Sequence, residues 1–341
     1  MLRLLGILVT VLFAIAAAIL VWPQFFHLEG TFPIAQLIAS RALVIGGFLV
    51  VALLALLMLI ARPLRGFAAS LLIVALLGAG ATAAVGAVRG IGSESLPAKT
   101  DQALRVLTWN TNGAAVPAEK IAQVVEEQDV DIVALPETSE KVGERIAILM
   151  REAGNPMWVH NVNIRPDVVN GPQAWQTTIL ISAKLGEYSV ITSSRDGSSN
   201  TGSVPSVVAM PVDGSGPTIV AVHAVAPRRD AMSRWQSDLA WIADQCPAGD
   251  FILAGDFNAT LDHLAPFGVD GGTVGRCRDA ASSTGNGMLG TWPATLPALV
   301  GAPIDHIMSS DGWRATGSQV LEDAGGSDHR ALVAQLEPAA R

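Results

Sequence analysis

Three long stretches without a charged side chain lie near the start of the sequence, and they constrain the fold more than any other feature. They cover Leu4–Trp22, Ala42–Ile60 and Phe67–Val88. A helix needs about 20 predominantly apolar residues to cross the hydrocarbon core of a bilayer, and each stretch has roughly that length. The sequence therefore predicts a transmembrane anchor of three helices within residues 1–90.

The first apolar stretch has a second interpretation. Arg3 precedes a long apolar run, which is also the pattern of a cleaved signal peptide. Two further apolar stretches follow it, so we favour a first helix that is retained. The three stretches contain no ionisable residue, whereas transport pathways through a membrane are usually marked by one. We therefore expect the anchor to be a tether.

Basic residues predict how the anchor is oriented, because cytoplasmic loops are enriched in Lys and Arg. Three of them precede the first helix or lie between the second and the third: Arg3, Arg62 and Arg65. We expect these three to mark the cytoplasmic side of a multi-pass cell-membrane protein, which places everything after the third helix outside the cytoplasm. Arg41 and Arg89 lie at the other ends of the helices and weigh mildly against this orientation.

The composition changes after the third apolar stretch. The first 90 residues carry a net charge of +4, whereas the remainder has 17 basic and 29 acidic residues and a net charge of −12. Residues 91–103 are rich in Gly, Ser, Pro and charged side chains, which predicts a linker. A soluble domain is expected over residues 104–341, and the composition excludes a disordered chain or a disulfide-dense mini-protein.

Strand and helix patterns alternate at the start of this domain. Strands are predicted over Leu104–Trp109 and Val130–Leu135, and amphipathic helices over Pro117–Gln128 and Ser139–Ala153. Later candidates are a helix and three strands: Arg229–Gln245, Phe251–Ala254, Ile304–Ser309 and Ala331–Leu336. Mixed strand pairing with helices on the outside predicts an α/β domain of two packed sheets.

Two features of the soluble domain concern its less regular parts. Cys246 and Cys277 are its only cysteines, and they either form one disulfide, as an oxidising compartment permits, or remain two buried thiols. The stretch Gly268–Gly290 is rich in Gly, Ser and Thr. We expect it to be a long surface loop.

Polar side chains recur beside the apolar strands of this domain. One such group accompanies each of six strand candidates: Asn110, Glu137, His223, Asp256 with Asn258, Asp305, and Asp328 with His329. A single one is usually a helix cap or a packing residue. Six of them are more than capping explains, and sheets of this kind place their sites at the strand ends. We therefore expect these residues to share one site.

The residue types fit together chemically. Asn110, Glu137 and Asp328 offer hard oxygen ligands, which favour Mg²⁺ or Mn²⁺ over zinc. Asp256 and Asn258 are two residues apart and would face the same way in an extended segment. One of them can activate water while the other donates a hydrogen bond to a phosphate oxygen.

Two histidines complete the predicted chemistry. His223 and His329 would supply proton transfer and positive charge near pH 7, and Asp305 would fix the tautomer of one of them. His306 follows Asp305 on a strand, so its side chain should point to the opposite face, and we expect no catalytic role for it. Together these groups describe metal-assisted attack of water on a phosphoester.

The ordered motifs, above all Gly-Asp256-x-Asn258 and Ser-Asp328-His329, resemble the endonuclease/exonuclease/phosphatase superfamily. That superfamily includes pancreatic deoxyribonuclease, abasic-site endonucleases, neutral sphingomyelinases and inositol polyphosphate 5-phosphatases. The resemblance covers Arg105–Leu336. It implies a four-layer α-β-β-α sandwich of two mixed sheets, which agrees with the pattern of strands and helices.

The resemblance also implies roles for individual residues. Glu137 would be the principal metal ligand, Asn110 would support that site, and Asp328 would lie beside the metal. Asp256 would activate water, and Asn258 would hold the scissile phosphate.

In the same comparison, His329 would stabilise the phosphoryl oxygens while paired with Asp305. His223 matches a strand-end histidine of the deoxyribonuclease and sphingomyelinase branches.

The substrate is not fixed by the fold. A nuclease-type phosphodiesterase acting outside the cytoplasm is favoured by the His223 motif together with export, although the charge of −12 is unlike the basic footprint of most DNA-binding domains. A bound metal ion would supply local positive charge. The alternative is a lipid phosphodiesterase or a phosphomonoesterase at the membrane surface, and a catalytically silent scaffold is the least favoured. The sequence indicates no protein partner.

Overall fold

The computed structural model describes residues 2–92, 95–168, 171–191 and 200–339. The ranges expected for the anchor, linker and soluble domain also include Met1, Ser93, Glu94, residues 169–170, residues 192–199 and the last two residues, which lie outside this description. The helices, in chain order, are α1 Leu2–Val21, α2 Ile34–Ile38, α3 Arg41–Met58, α4 Arg65–Arg89, α5 Ala118–Glu127, α6 Glu140–Glu152, α7 Met232–Asp244, α8 Leu261–Leu264 and α9 Ala280–Ser283.

The described strands form two sheets of six strands each. They are β1 Leu104–Thr108, β2 Ile132–Pro136, β3 Met157–Asn163, β4 Gln176–Ser182, β5 Tyr188–Val190, β6 Val207–Pro211, β7 Thr218–His223, β8 Phe251–Asp256, β9 Arg278–Asp279, β10 Asp305–Ser309, β11 Trp313–Val320 and β12 Leu332–Pro338. The first sheet has the order β11-β12-β1-β2-β4-β3, and the second has the order β5-β6-β7-β8-β10-β9.

The N-terminal helices α1, α3 and α4 are long and apolar enough to cross a membrane. They pack through small residues, which let helix backbones approach closely. Gly78 of α4 lies against the ring of Phe48 on α3, and a Cβ atom at this position would come within 2.8 Å of that ring. Most of their large side chains are exposed.

Both sheets are mixed. The pairs β1–β2 and β7–β8 are parallel, and the other pairings are antiparallel. Because β10 runs against β8, its first residue Asp305 lies opposite the last residue of β8, Asp256. The strand ends that carry the predicted polar residues therefore meet at one edge, which we call the catalytic edge.

The core has three apolar layers. Aliphatic side chains such as Val106, Ile179 and Ile252 fill the space between the two sheets. Helices α5 and α6 cover the outer face of the first sheet, and α7 covers the outer face of the second with Trp235 and Leu239. The fold is thus a four-layer sandwich, as predicted, preceded by three long apolar helices.

The structure corrects one expectation and decides an open alternative. The stretch Gly268–Gly290 is not a surface loop, because it contains β9 and α9 and places Ala280 and Ala281 in the core between the sheets. Cys246 and Cys277 form a disulfide that joins the end of α7 to this stretch.

Candidate active site

Asn110 is the centre of the catalytic edge. It follows β1, and its buried amide group donates hydrogen bonds to Glu137 Oε1 at 3.2 Å and to Asp256 Oδ2 at 3.0 Å. Its Oδ1 atom accepts a hydrogen bond from the backbone of Asn112. Asn110 therefore joins a carboxylate of the first sheet to one of the second.

The backbone at the catalytic edge is locally strained. Asn112, Glu137 and Asn258 have φ angles of 48°, 57° and 47° in the left-handed region. Such conformations cost energy for residues with a side chain and are concentrated at functional sites. The turn between Asp256 and Asn258 is held by the backbone N–H of Asn258, which donates to Asp256 Oδ1 at 2.8 Å.

Asp256 and Asn258 meet, but not as expected. β8 ends at Asp256, so the two side chains come together through a turn and not through strand alternation. The Asn258 amide donates to the Ala224 carbonyl at 2.8 Å and lies 3.2 Å from Asp256 Oδ2. Gly255 is required before this turn, because a Cβ atom there would lie 1.9 Å from the Val222 carbonyl oxygen.

Asp305 and His329 form a buried pair. His329 Nδ1 is 2.8 Å from Asp305 Oδ2, and His329 Nε2 lies 3.9 Å from Asp256 Oδ2. Burial alone would lower the pKa of His329, but the charges of Asp305 and Asp256 more than offset it and raise the pKa to about 10. His329 is therefore protonated at neutral pH and points its second nitrogen into the site.

Several acidic side chains are crowded together at the catalytic edge, and the pKa values of two of them are raised. Burial, followed by the charge of Asp305, raises the pKa of Asp256 to about 7. Burial also raises the pKa of Glu137 above its ordinary value. Asp305 Oδ1 is buried and has no hydrogen-bond partner among the described residues.

His223 lies in the site but does not carry the positive charge expected of it. Its Nε2 atom is 3.8 Å from Glu137 Oε1, and its Nδ1 atom is buried without a partner in the described part of the chain. Burial, together with the positive charge of His329, lowers the pKa of His223 to about 3. The imidazole is therefore neutral at pH 7, and the site has one cationic histidine.

The chain matches the model of the Endonuclease/Exonuclease/phosphatase family over residues 107–329, which span most of the sandwich. The chain belongs to this family. Members of the endonuclease/exonuclease/phosphatase family are metal-dependent phosphoester hydrolases, and this chain is an enzyme of that class.

Solved structures of the family share the fold. An endonuclease/exonuclease/phosphatase from Beutenbergia cavernae aligns with a TM-score of 0.53 and 18% identity, covering 70% of this chain and 72% of that chain. A family protein from Leptotrichia buccalis has a TM-score of 0.51 and 13% identity over 69% and 99% of the two chains. Humanized TDP2 of D. rerio has a TM-score of 0.50 and 15% identity over 70% and 100%.

The comparisons give the fold but no specific activity. Identities below one fifth establish a shared architecture and leave the substrate open. A comparison with curated proteins finds no match to this chain.

Two contacts hold the Ser-Asp328-His329 motif in place, and neither could be predicted from the sequence pattern. Ser327 Oγ donates to the Asn110 carbonyl at 2.7 Å and accepts from the His329 backbone N–H, which ties the last motif to the end of β1. Asp328 is half-buried, and its Oδ2 accepts a hydrogen bond from Trp292 Nε1 at 3.0 Å. Trp292 thus borders the site, a role that the sequence leaves open because an isolated aromatic residue is as often a packing residue.

A divalent metal ion fits this donor set. The carboxylates of Glu137 and Asp256 have raised pKa values in its absence, and Asp305 keeps an unpaired buried oxygen. Atoms of Asp256, Asp305 and His329 lie within 4.8 Å of one another. Asp305 and His329 already bond to each other, and both oxygens of Asp256 accept hydrogen bonds, so the carboxylates of Glu137 and Asp328 are those best suited to a hard cation.

Proposed function

We propose that this enzyme is a membrane-embedded phosphoester hydrolase that uses Mg²⁺ or Mn²⁺ and acts outside the cytoplasm. One observation carries the chemical part of the proposal: Asn110 links Glu137 to Asp256 at the same edge where the protonated His329 faces Asp256. Acidic oxygens for a metal ion and a cation for phosphoryl oxygens thus lie within one site.

The metal site would be formed mainly by Glu137, with Asn110 supporting it through hydrogen bonds and Asp328 beside it. The ion would neutralise phosphate charge and polarise the ester. The oxygen ligands, together with the engagement of Cys246 and Cys277 in a disulfide, favour Mg²⁺ or Mn²⁺ over zinc.

The remaining residues would carry out the proton and phosphate chemistry. Asp256 would orient the attacking water and take its proton, for which a pKa near 7 is suitable. Asn258 would hold the scissile phosphate. Protonated His329, oriented by Asp305, would stabilise the phosphoryl oxygens, and neutral His223 would donate a hydrogen bond to a phosphate oxygen from Nε2, the nitrogen that faces Glu137.

Three observations support an extracytoplasmic catalytic domain. Arg62 and Arg65 are exposed at the end of the helices that is remote from the sandwich. Arg41 and Arg89 are instead paired with Asp262 of the sandwich. Because their charges are neutralised by this partner, they do not count against the orientation in the way that unpaired loop arginines would. The disulfide between Cys246 and Cys277 is typical of an oxidising compartment.

We propose nucleic acid as the first candidate substrate, and a phospholipid or small phosphoester as the second. His223 in the site is the observation that favours a nuclease-type reaction. The net charge of −12 in the part after the anchor opposes it, because duplex DNA is bound mainly through basic residues.

The first test uses the full-length protein in nanodiscs with a chromogenic phosphodiester, a chromogenic phosphomonoester and plasmid DNA. We expect hydrolysis of at least one to require Mg²⁺ or Mn²⁺, to stop in EDTA, and to fall roughly 10²–10⁴-fold in Asp256→Asn. Asp213→Asn, on the exposed turn between β6 and β7, is the matched control and should keep full activity. Equal rates in Asp256→Asn and wild type would refute the proposed role of the site.

A further inference from the structure

The N-terminal helices dock on the sandwich through a buried ion cluster. Asp262 of α8 accepts hydrogen bonds from Arg41 Nε and Arg89 Nη1, both at 2.8 Å to Oδ2, and from Arg89 Nη2 at 2.8 Å to Oδ1. Asp262 is 1% exposed and Arg41 is 4% exposed. Burial alone would raise the pKa of Asp262, but its hydrogen bonds to Arg89 and Arg41 hold it well below the ordinary value.

This cluster lies next to the catalytic motif. α8 begins three residues after Asn258, in the loop that leaves β8 at the catalytic edge. Arg41 also donates to the carbonyls of Leu20 and Val21 at the end of α1, and Gln24 donates to the Asp262 carbonyl at 2.8 Å. The end of α1 is therefore fixed to α8, whose residue Asp262 follows Asn258 by four positions in the chain.

The loop after β7 makes a second contact with the N-terminal helices. Pro227, four residues after His223, accepts a hydrogen bond from Gln36, which lies on α2. The Arg229 guanidinium lies over the Phe32 ring at 5.6 Å. Two loops that leave the catalytic edge thus contact the segment between α1 and α3.

The segment before β10 makes a third contact. Gly287 donates to the Arg89 carbonyl at 2.9 Å, and Ser40 Oγ donates to the Val300 carbonyl at 2.7 Å. The same segment contains Trp292, which donates to Asp328 in the site. The catalytic edge, and not the far edge of the sandwich, therefore faces the helices that would lie in the membrane.

Exposed apolar residues lie both beside the site and at the ends of the N-terminal helices. Trp292, Leu296 and Leu299 are 41%, 38% and 49% exposed, although their segment is held by Arg330, whose guanidinium donates to the Ala294 and Leu296 carbonyls. Large exposed aromatic residues also lie at the end of α1 and before α2: Trp22, Phe25, Phe26 and Phe32. Aromatic residues at the ends of membrane helices mark the level of the lipid headgroups.

We propose that the catalytic edge lies at the lipid headgroup level and that the enzyme hydrolyses a membrane-embedded amphiphilic phosphoester there, whose apolar chains stay in the bilayer during the reaction. This inference rests on the proposed hydrolase function and, of the substrate classes named there, assigns the phospholipid class in preference to nucleic acid. Trp292, Leu296 and Leu299 form the surface that enters the membrane interface, and the ion cluster at Asp262 fixes the catalytic edge at that depth.

The charges agree with a lipid substrate. Arg228 and Arg229 are exposed beside Phe32, in position to meet headgroup phosphates at the membrane surface. The rest of the domain is acidic and lacks the net positive charge that a nucleic acid would require. An amphiphile does not need a long-range basic footprint, because the membrane already concentrates it beside the site.

The test compares lipids that differ only in chain length. Full-length protein in nanodiscs receives dioleoyl phosphatidate, phosphatidylglycerol or phosphatidylcholine in the same bilayer, or the dihexanoyl forms dissolved below their micelle concentration, with Mn²⁺. We expect at least one headgroup to be hydrolysed with a kcat/KM that is 10-fold or more higher for the dioleoyl form. Plasmid DNA and the chromogenic phosphodiester are assayed in parallel.

Variants test the surface itself. The double variant Leu296→Asp with Leu299→Asp should lower the ratio of long-chain to short-chain hydrolysis at least 10-fold, because charges oppose entry into the bilayer. Val212→Asp is the control, since Val212 is 59% exposed on the turn at the far edge. An environment-sensitive fluorophore on Leu299→Cys should be quenched by brominated lipids, and one on Val212→Cys should not.

The outcomes separate the inference from the function on which it rests. Equal rates on long and short chains, faster cleavage of plasmid DNA than of any lipid, or an unquenched label at position 299 would overturn the lipid assignment. Metal-dependent hydrolysis of the chromogenic phosphodiester with no lipid hydrolysis would also overturn it and leave the proposed function intact. Loss of all metal-dependent hydrolysis would overturn both.

Discussion

Two buried histidine–aspartate pairs each include a residue of strand β10, and the hydrogen bond between imidazole and carboxylate has the same length in both. Asp305 pairs with His329 on one side, and His306 pairs with Asp279 on the other, each with 2.8 Å between Nδ1 and Oδ2. The two pairs differ at the second ring nitrogen. His306 Nε2 bonds the Ala259 carbonyl at 2.9 Å, whereas His329 Nε2 faces Asp256 across 3.9 Å.

This difference separates a structural pair from one suited to chemistry. Both nitrogens of His306 are occupied, and its ring also stacks edge-on against Phe257 at 5.3 Å, so it holds β10 against its neighbours. His329 keeps one nitrogen for a ligand in the site. A buried His–Asp pair is therefore informative about function only when the other nitrogen of its imidazole is free.

The largest expected contrast comes from replacing each histidine by asparagine. Asparagine places an amide N–H near the position of Nδ1–H, so it keeps the bond to aspartate and removes Nε2. We expect His329→Asn to lower kcat per folded molecule roughly 10²–10⁴-fold. His306→Asn should keep its kcat per folded molecule and lose about 1–3 kcal/mol of unfolding free energy, because the Ala259 carbonyl loses its donor.

The measurement is steady-state hydrolysis of the chromogenic phosphodiester by full-length protein, with folded protein counted by denaturation followed through tryptophan fluorescence. A folded His306→Asn enzyme that is as inactive as His329→Asn would break the distinction between the two pairs.

The catalytic edge is the part of the molecule that the sequence predicts best. Short apolar runs such as Val130–Leu135 predict strands, and each run is followed by its polar residue, so Asn110, Glu137 and Asp256 can be placed at one edge without coordinates. The pairing of Asp305 with His329 was also implied by the family resemblance, and the structure has it at 2.8 Å.

Other elements have no local pattern that would reveal them. β3 is half-buried along most of its length and lacks an apolar run, and β11 contains a bulge near Gly317 that interrupts the alternation. Asp262 joins Arg41 and Arg89 across 221 and 173 residues, and its helix has four residues. A pairing over such separations depends on the assembled fold, so the position of the site against the helices could not be predicted.

A smaller contrast is expected for the two aspartates. Asp305→Asn removes the charge that keeps His329 protonated, and we expect kcat to fall roughly 10–100-fold with KM changed less. Asp279→Asn should leave both kinetic constants unchanged and cost about 1.5–3 kcal/mol of unfolding free energy, since it weakens a buried charged hydrogen bond. Kinetics and denaturation of the two variants under identical conditions decide this, and a kinetic defect in Asp279→Asn would show that the structural pair also serves the reaction.

The smallest effect is a pH dependence of the structural pair. Burial alone would lower the pKa of His306, but its hydrogen bond to Asp279 and the charge of that carboxylate raise it above its ordinary value. Because the raised pKa belongs to the folded state, the stabilisation is complete below the pKa of the unfolded histidine, about 6.5, and is lost as pH rises through the folded pKa. The difference in unfolding free energy between wild type and Asp279→Asn should therefore be larger at pH 6 than at pH 9. A difference that is constant over this range would mean that His306 stays neutral and that Asp279 accepts an uncharged hydrogen bond.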